Sequence, residues 1–103
     1  MKIIIDECVP SIVKRGLPLR QILTVQDMGW AGIKNGQLLK LVMTGGFEVF
    51  ITSDKNLRYQ QNLLEHDLAF VILPSNQVPI VKGLLTEIDR VLNSIQPKEL
   101  VEL

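Results

Sequence analysis

Four short apolar runs, separated by stretches with helical spacing, constrain the fold of this 103-residue chain more than any other feature. Runs rich in Ile, Val and Phe predict buried strands. They cover residues 2–5, 22–26, 47–52 and 69–73. Between Ile80 and Ile95, apolar residues instead recur at steps of three and four, which predicts one long helix. Alternating strands and helices predict an α/β fold with a mainly parallel sheet of four to five strands and helices on both faces.

Proline and glycine mark the limits of the shorter helices. Pro10 suits the first turn of a short helix, and Asn35 is expected to cap a second helix that Gly45 stops. Residues 55–65 favour a polar helix, and residues 99–103 a final edge strand.

Length and composition indicate one domain over residues 1–103, since 47% of the residues are hydrophobic. Eleven basic and eleven acidic side chains give a formal charge of zero, so no global attraction to nucleic acid or to a membrane surface is expected. The start MKIIIDE is charged too early for a signal peptide, and no run approaches membrane-spanning length. The single Cys8 cannot form an internal disulfide, so the cytoplasm is the expected location, with no membrane partner.

Acidic side chains directly follow two of the predicted strands. Asp6 and Glu7 come after the first run, and Asp54 closes the third. Because the carboxyl ends of parallel strands meet at one edge of a sheet, we expect these carboxylates to converge. Converging like charges need a compensating cation, and carboxylate oxygens suit Mg²⁺ or Mn²⁺. Such a site would activate water for phosphodiester hydrolysis.

These side chains also have structural interpretations. Asp6 and Asp54 each precede a predicted helix and would serve as N-caps. Lys55 and Arg58 follow Asp54 within about one helical turn, where they would attract a phosphate backbone or remain as exposed helix charges. Cys8 has no evident histidine partner, which argues against a cysteine nucleophile.

Three segments are informative in combination: IIIDECVP at 3–10, MGWAGIKNGQLL at 28–39 and ITSDKNLRYQQNL at 51–63. Together they resemble the short PIN-like proteins of bacteria and archaea, which are allied to the PIN-domain nucleases of toxin-antitoxin systems. The resemblance extends over nearly the whole chain. It implies a Rossmann-like PIN fold, a divalent metal at a carboxylate cluster, cleavage of RNA, and a cognate antitoxin protein as a partner.

The resemblance also implies roles for individual residues. Asp6 matches the acid that follows the first strand, and Asp54 matches the acid of a Thr-x-Asp element. Relatives often carry acids where this chain has Asn35 and Gln37. The implied metal ligands are therefore Asp6 and Asp54, with Glu7, Asn35 and Gln37 as further ligands, and the implied substrate contacts are Ser53, Lys55 and Arg58.

Other functions stay open at this level. Since Asn35 and Gln37 bring no negative charge, the chain would alternatively bind RNA or a partner protein without cleaving. A phosphoacceptor receiver domain also places an acidic doublet after strand one and an aspartate after strand three, although Leu73 and Pro74 end the fourth run here. Edge residues of the apolar final helix would suit a homodimer.

Overall fold

The computed structural model describes residues 1–59 and 67–103, without the side chains of Asn35, Arg58 and Tyr59. It has an α/β fold built on a five-stranded, all-parallel sheet. The strands are β1 (Lys2–Ile5), β2 (Gln21–Thr24), β3 (Val49–Thr52), β4 (Ala69–Ile72) and β5 (Leu100–Glu102). The predicted parallel α/β sheet is confirmed, and the last predicted strand joins it beside β4.

The strand order is β2-β1-β3-β4-β5, so β1 has neighbours on both sides. In register, Ile5 at the end of β1 pairs with Thr24 of β2 and with Ile51 of β3. β2 lies on one side of β1, and the chain then crosses over so that β3 lies on the other side. The gap between the carboxyl ends of β1 and β3 is therefore the topological switch point, where open parallel sheets bind ligands.

Helices cover both faces of the sheet. They are α1 (Ile12–Gly16), α2 (Asn35–Thr44), α3 (Val78–Gly83) and α4 (Leu85–Ser94), with a 3₁₀ helix at Lys55–Tyr59. Alternate strand residues point to opposite faces and form two separate cores. One core joins the sheet to α1, α3 and α4 and includes Ile3, Ile5, Val13, Ile51, Val81 and Ile88. The other joins it to α2 and includes Ile4, Leu38, Val42, Phe50 and Phe70.

The prediction of one helix from Ile80 to Ile95 is wrong, because α3 and α4 are separate helices. Leu84 lies between them with φ −100° and ψ 0°, outside regular helical geometry. Gly83 directly precedes this break and has low helix propensity. Apolar spacing predicted burial on both sides of the break correctly, since Val81 and Ile88 are fully buried. It could not reveal the break at Leu84 that separates the two helices.

Other boundaries also differ from the sequence expectation. β3 begins at Val49 rather than at residue 47, and α1 begins at Ile12, so Pro10 precedes the helix and is not in its first turn. Lys34 occupies the N-cap position of α2, so Asn35 is the first helical residue and not the cap. β2 stops at Thr24, because Thr24 and Asp27 exchange hydrogen bonds that begin a turn. Of the helix predicted at 55–65, the structure describes the 3₁₀ segment, and residues 60–66 lie outside the described ranges. No helix within those ranges is long and apolar enough to cross a membrane.

Candidate functional site

Thr52, the last residue of β3, is the only buried polar side chain among the described residues. Its hydroxyl donates to Asp6 Oδ2 at 2.8 Å and accepts the Asp54 backbone N–H at 3.0 Å. A hydroxyl has one donor and two acceptor lone pairs, so one side chain can make both bonds. Thr52 therefore connects the acid after β1 to the acid after β3.

Asp6 extends the sheet by one residue and presents a half-buried carboxylate. Its N–H donates to the Ile51 carbonyl at 2.8 Å, which continues the β1–β3 ladder. Its Oδ1 accepts the N–H of Glu7 at 2.8 Å. Helix α1 starts only at Ile12, with Ser11 in the N-cap position. Asp6 is therefore not the N-cap of α1, and its carboxylate instead accepts hydrogen bonds from Glu7 and Thr52.

Asp54 does have the capping role that its position suggested. Its Oδ1 accepts the N–H of Asn56 at 3.0 Å, and its carbonyl accepts the N–H of Leu57 at 3.2 Å. These bonds begin the 3₁₀ helix. A carboxylate offers about four lone-pair sites, so the capping bond does not occupy the whole group.

An open cleft of about 520 Å³ lies over this edge of the sheet. Glu7 Oε1 accepts the Gly32 N–H at 2.9 Å, which ties the loop before α2 to the strand edge. Gly32 has φ +82°, a left-handed conformation that favours glycine. The lining residues are Asp6, Glu7, Cys8, Gly32, Ile33, Ser53 and Asp54. Three carboxyl groups thus share one cleft at the switch point.

Cys8 is a part of this cleft that sequence reasoning discounted. Its Sγ accepts a hydrogen bond from Ser53 Oγ at 3.1 Å and lies 3.6 Å from Asp6 Oδ2. The thiol was set aside because it lacks a histidine partner. Its position two residues after Asp6, at the same strand end, was the available signal. For Thr52, the sequence feature that could have revealed its role is a hydroxyl residue directly after the apolar residues 49–51.

The remaining predicted site residues do not line the cleft or lie outside the described side chains. Gln37 is exposed in the first turn of α2 and is not among the lining residues. Lys55 is exposed and lines a separate cavity of about 250 Å³ with Glu102, at the carboxyl ends of β4 and β5. The side chains of Asn35 and Arg58 are not described. The structure therefore brings together Asp6, Glu7, Ser53 and Asp54.

The donor chemistry of the cleft fits a magnesium-type cation held by few protein ligands. Asp6 and Asp54 both line the cleft and offer hard carboxylate oxygens. Mg²⁺ is commonly bound by one or two carboxylates together with waters and substrate phosphates. Among the described residues there is no group of three or more His, Cys, Asp or Glu side chains that would hold a metal. The residues fit a two-carboxylate site rather than a protein cage.

The same strand order occurs in receiver domains, so topology alone does not select a function. In this chain Leu73 and Pro74 follow β4, and Leu103 follows β5. Receivers place a hydroxyl residue and a lysine after these strands. The residues at these two positions argue against phosphoacceptor chemistry at Asp54.

Comparisons with known proteins add no family assignment. A scan of protein-family models matched none of them, and searches of curated proteins and of solved structures found no match. Function is therefore argued from the chemistry of the cleft and from the resemblance of three sequence segments.

Proposed function

We propose that this protein is a metal-dependent ribonuclease of the PIN-like type, with Asp6 and Asp54 as ligands of Mg²⁺ or Mn²⁺. The observation that carries the proposal is that Asp6 and Asp54 line one cleft at the switch point of the sheet, where the buried Thr52 hydroxyl bonds the Asp6 carboxylate and the Asp54 backbone N–H. The resemblance of the segments around Asp6 and Asp54 to PIN-like proteins supports the same reaction. By that resemblance the substrate is RNA, and an antitoxin protein is the partner.

Each residue of the cleft has a role in this proposal. When bound, the divalent cation would supply an activated water and neutralise phosphate charge. Asp6 and Asp54 hold the cation, and Thr52 orients the Asp6 carboxylate through its 2.8 Å hydrogen bond. Glu7 adds negative charge at the rim, which favours cation binding. Ser53, which lines the cleft, would contact substrate phosphate, whereas Lys55 lines a separate cavity.

The proposal is tested by incubating the purified protein with a panel of RNAs in Mg²⁺ or Mn²⁺. We expect cleavage that chelation stops, and a loss of about 100-fold or more in Asp6→Asn and in Asp54→Asn, since even outer-shell changes at metal sites cost up to this much. Asp67→Asn is the matched control, because that side chain is 90% exposed and precedes β4 at the opposite edge. Failure to cleave any RNA, or full activity in both site variants, would refute the proposal.

A second candidate is a PIN-like module that binds RNA or a partner protein without cleavage. One observation favours it: amides stand at Asn35 and Gln37, where proteins of the resembled family often carry acids. Isothermal titration with Mn²⁺ of the double variant Asn35→Asp, Gln37→Glu separates the two candidates. If only the double variant binds metal and cleaves RNA, the wild-type protein is a non-cleaving module. If variant and wild type bind metal and cleave RNA equally, the amides no longer support this second candidate.

A further inference from the structure

The loop between β2 and α2, residues 25–34, forms one wall of the candidate cleft. Two of its residues, Gly32 and Ile33, line the cleft together with the acids. The loop is a series of turns, in which the Trp30 N–H donates to the Val25 carbonyl at 3.0 Å and the Ile33 N–H donates to the Trp30 carbonyl at 3.1 Å. Ile33 also packs against the core that α2 shares with the sheet. The shape of the cleft therefore depends on where this loop lies.

Packing anchors the first part of the loop. Val25 is buried, and its N–H continues the sheet ladder by donating to the Ile5 carbonyl at 3.1 Å. The Trp30 ring meets the Phe47 ring edge-on, with the two centroids 6.2 Å apart. Gly32, by contrast, is exposed and has no side chain with which to pack. Its position therefore depends on hydrogen bonding.

Glu7 supplies that hydrogen bonding. Its Oε1 accepts the Gly32 N–H at 2.9 Å, and its carbonyl accepts a longer bond from Gln26 Nε2 at 3.5 Å. A hydrogen bond with one ionised partner is stronger than a bond between neutral groups. Glu7 directly follows Asp6 at the end of β1. The Glu7 carboxylate thus connects the loop wall to the strand end that carries Asp6.

We propose that Glu7 is a positioning residue, which holds the loop wall through Gly32 and so acts on substrate binding rather than on the reacting phosphate. Its effect on substrate rests on the proposed ribonuclease function, because the RNA would occupy this cleft. A loop held in its bound conformation loses little freedom when a ligand packs against it. Removing the carboxylate should therefore weaken substrate binding.

The two candidate metal ligands do not depend on the Glu7 side chain for their orientation. Asp6 Oδ1 accepts the backbone N–H of Glu7, which any substitution by a residue other than proline keeps. Asp54 Oδ1 accepts the N–H of Asn56. Loss of the Glu7 carboxylate should therefore raise KM with kcat nearly unchanged, which is the pattern of lost ground-state binding.

The first test is amide hydrogen exchange at Gly32, measured by NMR in the protein without added metal. Glu7→Ala removes the acceptor, whereas Glu7→Gln keeps an acceptor oxygen. Both variants lose the same charge, so a difference between them reports the hydrogen bond. We expect Gly32 to exchange about 5- to 10-fold faster in Glu7→Ala than in Glu7→Gln, the effect of one net hydrogen bond. Glu7 is exposed, so both variants should fold, and the fluorescence of Trp30, the single tryptophan, checks this.

The second test is steady-state cleavage of RNA at saturating Mn²⁺, where a change in cation affinity has no effect. We expect KM to be about fivefold or more higher in Glu7→Ala than in Glu7→Gln, with kcat equal within about twofold. Glu99→Ala is the matched control, because Glu99 Oε1 accepts the Gln96 N–H at 2.9 Å, the same kind of bond at the same length. Glu99 directly precedes β5, at the opposite edge of the sheet. Its loss should leave Gly32 exchange and KM unchanged.

Equal Gly32 exchange in Glu7→Ala and Glu7→Gln would overturn the inference, because the bond would then not hold the loop. An equal loss of kcat in both variants would also overturn it, since the charge of Glu7 would then take part in the reaction. If the wild-type protein cleaves no RNA, the ribonuclease proposal fails, and Gly32 exchange still decides whether Glu7 positions the loop.

Discussion

The Thr52 hydroxyl can be removed with almost no change in shape by Thr52→Val, and the expected effect can be worked from its two hydrogen bonds. The bond to the Asp6 carboxylate, at 2.8 Å, joins a charged group and contributes about 1.5–3 kcal/mol. The bond from the Asp54 N–H, at 3.0 Å, contributes about 1 kcal/mol. The added methyl group at this fully buried position returns about 0.8 kcal/mol. We expect a net loss of about 2 kcal/mol in the free energy of unfolding.

Thr52→Ser is the matched comparison, because it keeps the hydroxyl and removes only a buried methyl group. Its expected cost is about 1 kcal/mol. Urea unfolding followed by circular dichroism, with a common slope for all three proteins, ranks their stabilities. Hydrogen bonding predicts the order wild type, Thr52→Ser, Thr52→Val, whereas packing alone predicts that valine is better tolerated than serine. A valine variant at least as stable as the serine variant would refute the reasoning.

Three further predictions concern stability. The Lys14 ammonium, at 2.7 Å, and the Thr24 N–H lower the pKa of Asp27 from 3.8 to about 2. Asp27 therefore contributes stability above pH 3.8, and this stability is lost as the pH falls towards 2. Over that range, the difference between the unfolding midpoints of wild type and Asp27→Asn should become smaller. A gap that does not change with pH contradicts this. Gly46 has φ +79° with open space around it, so Gly46→Ala should cost about 1 kcal/mol through backbone strain alone. Gly36→Ala, in a helix and equally uncrowded, should instead be neutral or stabilising, and equal effects would contradict the argument. Arg20→Lys keeps the charge but loses the planar guanidinium that reaches three acceptors on α4, and should lower the thermal midpoint by a destabilisation of about 1 kcal/mol. An unchanged midpoint would show that those bonds contribute nothing net.

The strands were the most predictable elements of this fold. Apart from Gln21, β1 to β4 lie within the four apolar runs, and β1, β3 and β4 are mostly buried because both faces of the sheet are covered. Periodicity was less informative for the final helices, since one apolar stripe is compatible with a straight helix and with two helices joined at Leu84. The break lies in the backbone conformation of Leu84, which apolar spacing along the chain does not encode.

The acids of the site were predictable one by one, but their relation was not. Asp6 and Asp54 stand at strand ends, and the general behaviour of parallel sheets places such ends together. Whether Asp6 or Asp54 caps a helix depends on where the next helix begins, and the structure gives a different answer for each. Asp54 caps the 3₁₀ helix, and Asp6 is not the N-cap of α1.

By itself the sequence determined which segments are strands and helices and which acids follow the strands, because burial and polarity are properties of local pattern. Only the tertiary structure decided that β1 and β3 are neighbours, and so that the Thr52 hydroxyl reaches both Asp6 and Asp54. It also placed Cys8 in the cleft. The Thr52–Asp6 and Ser53–Cys8 contacts join residues more than forty positions apart, and strand order and register, rather than local pattern, determine them.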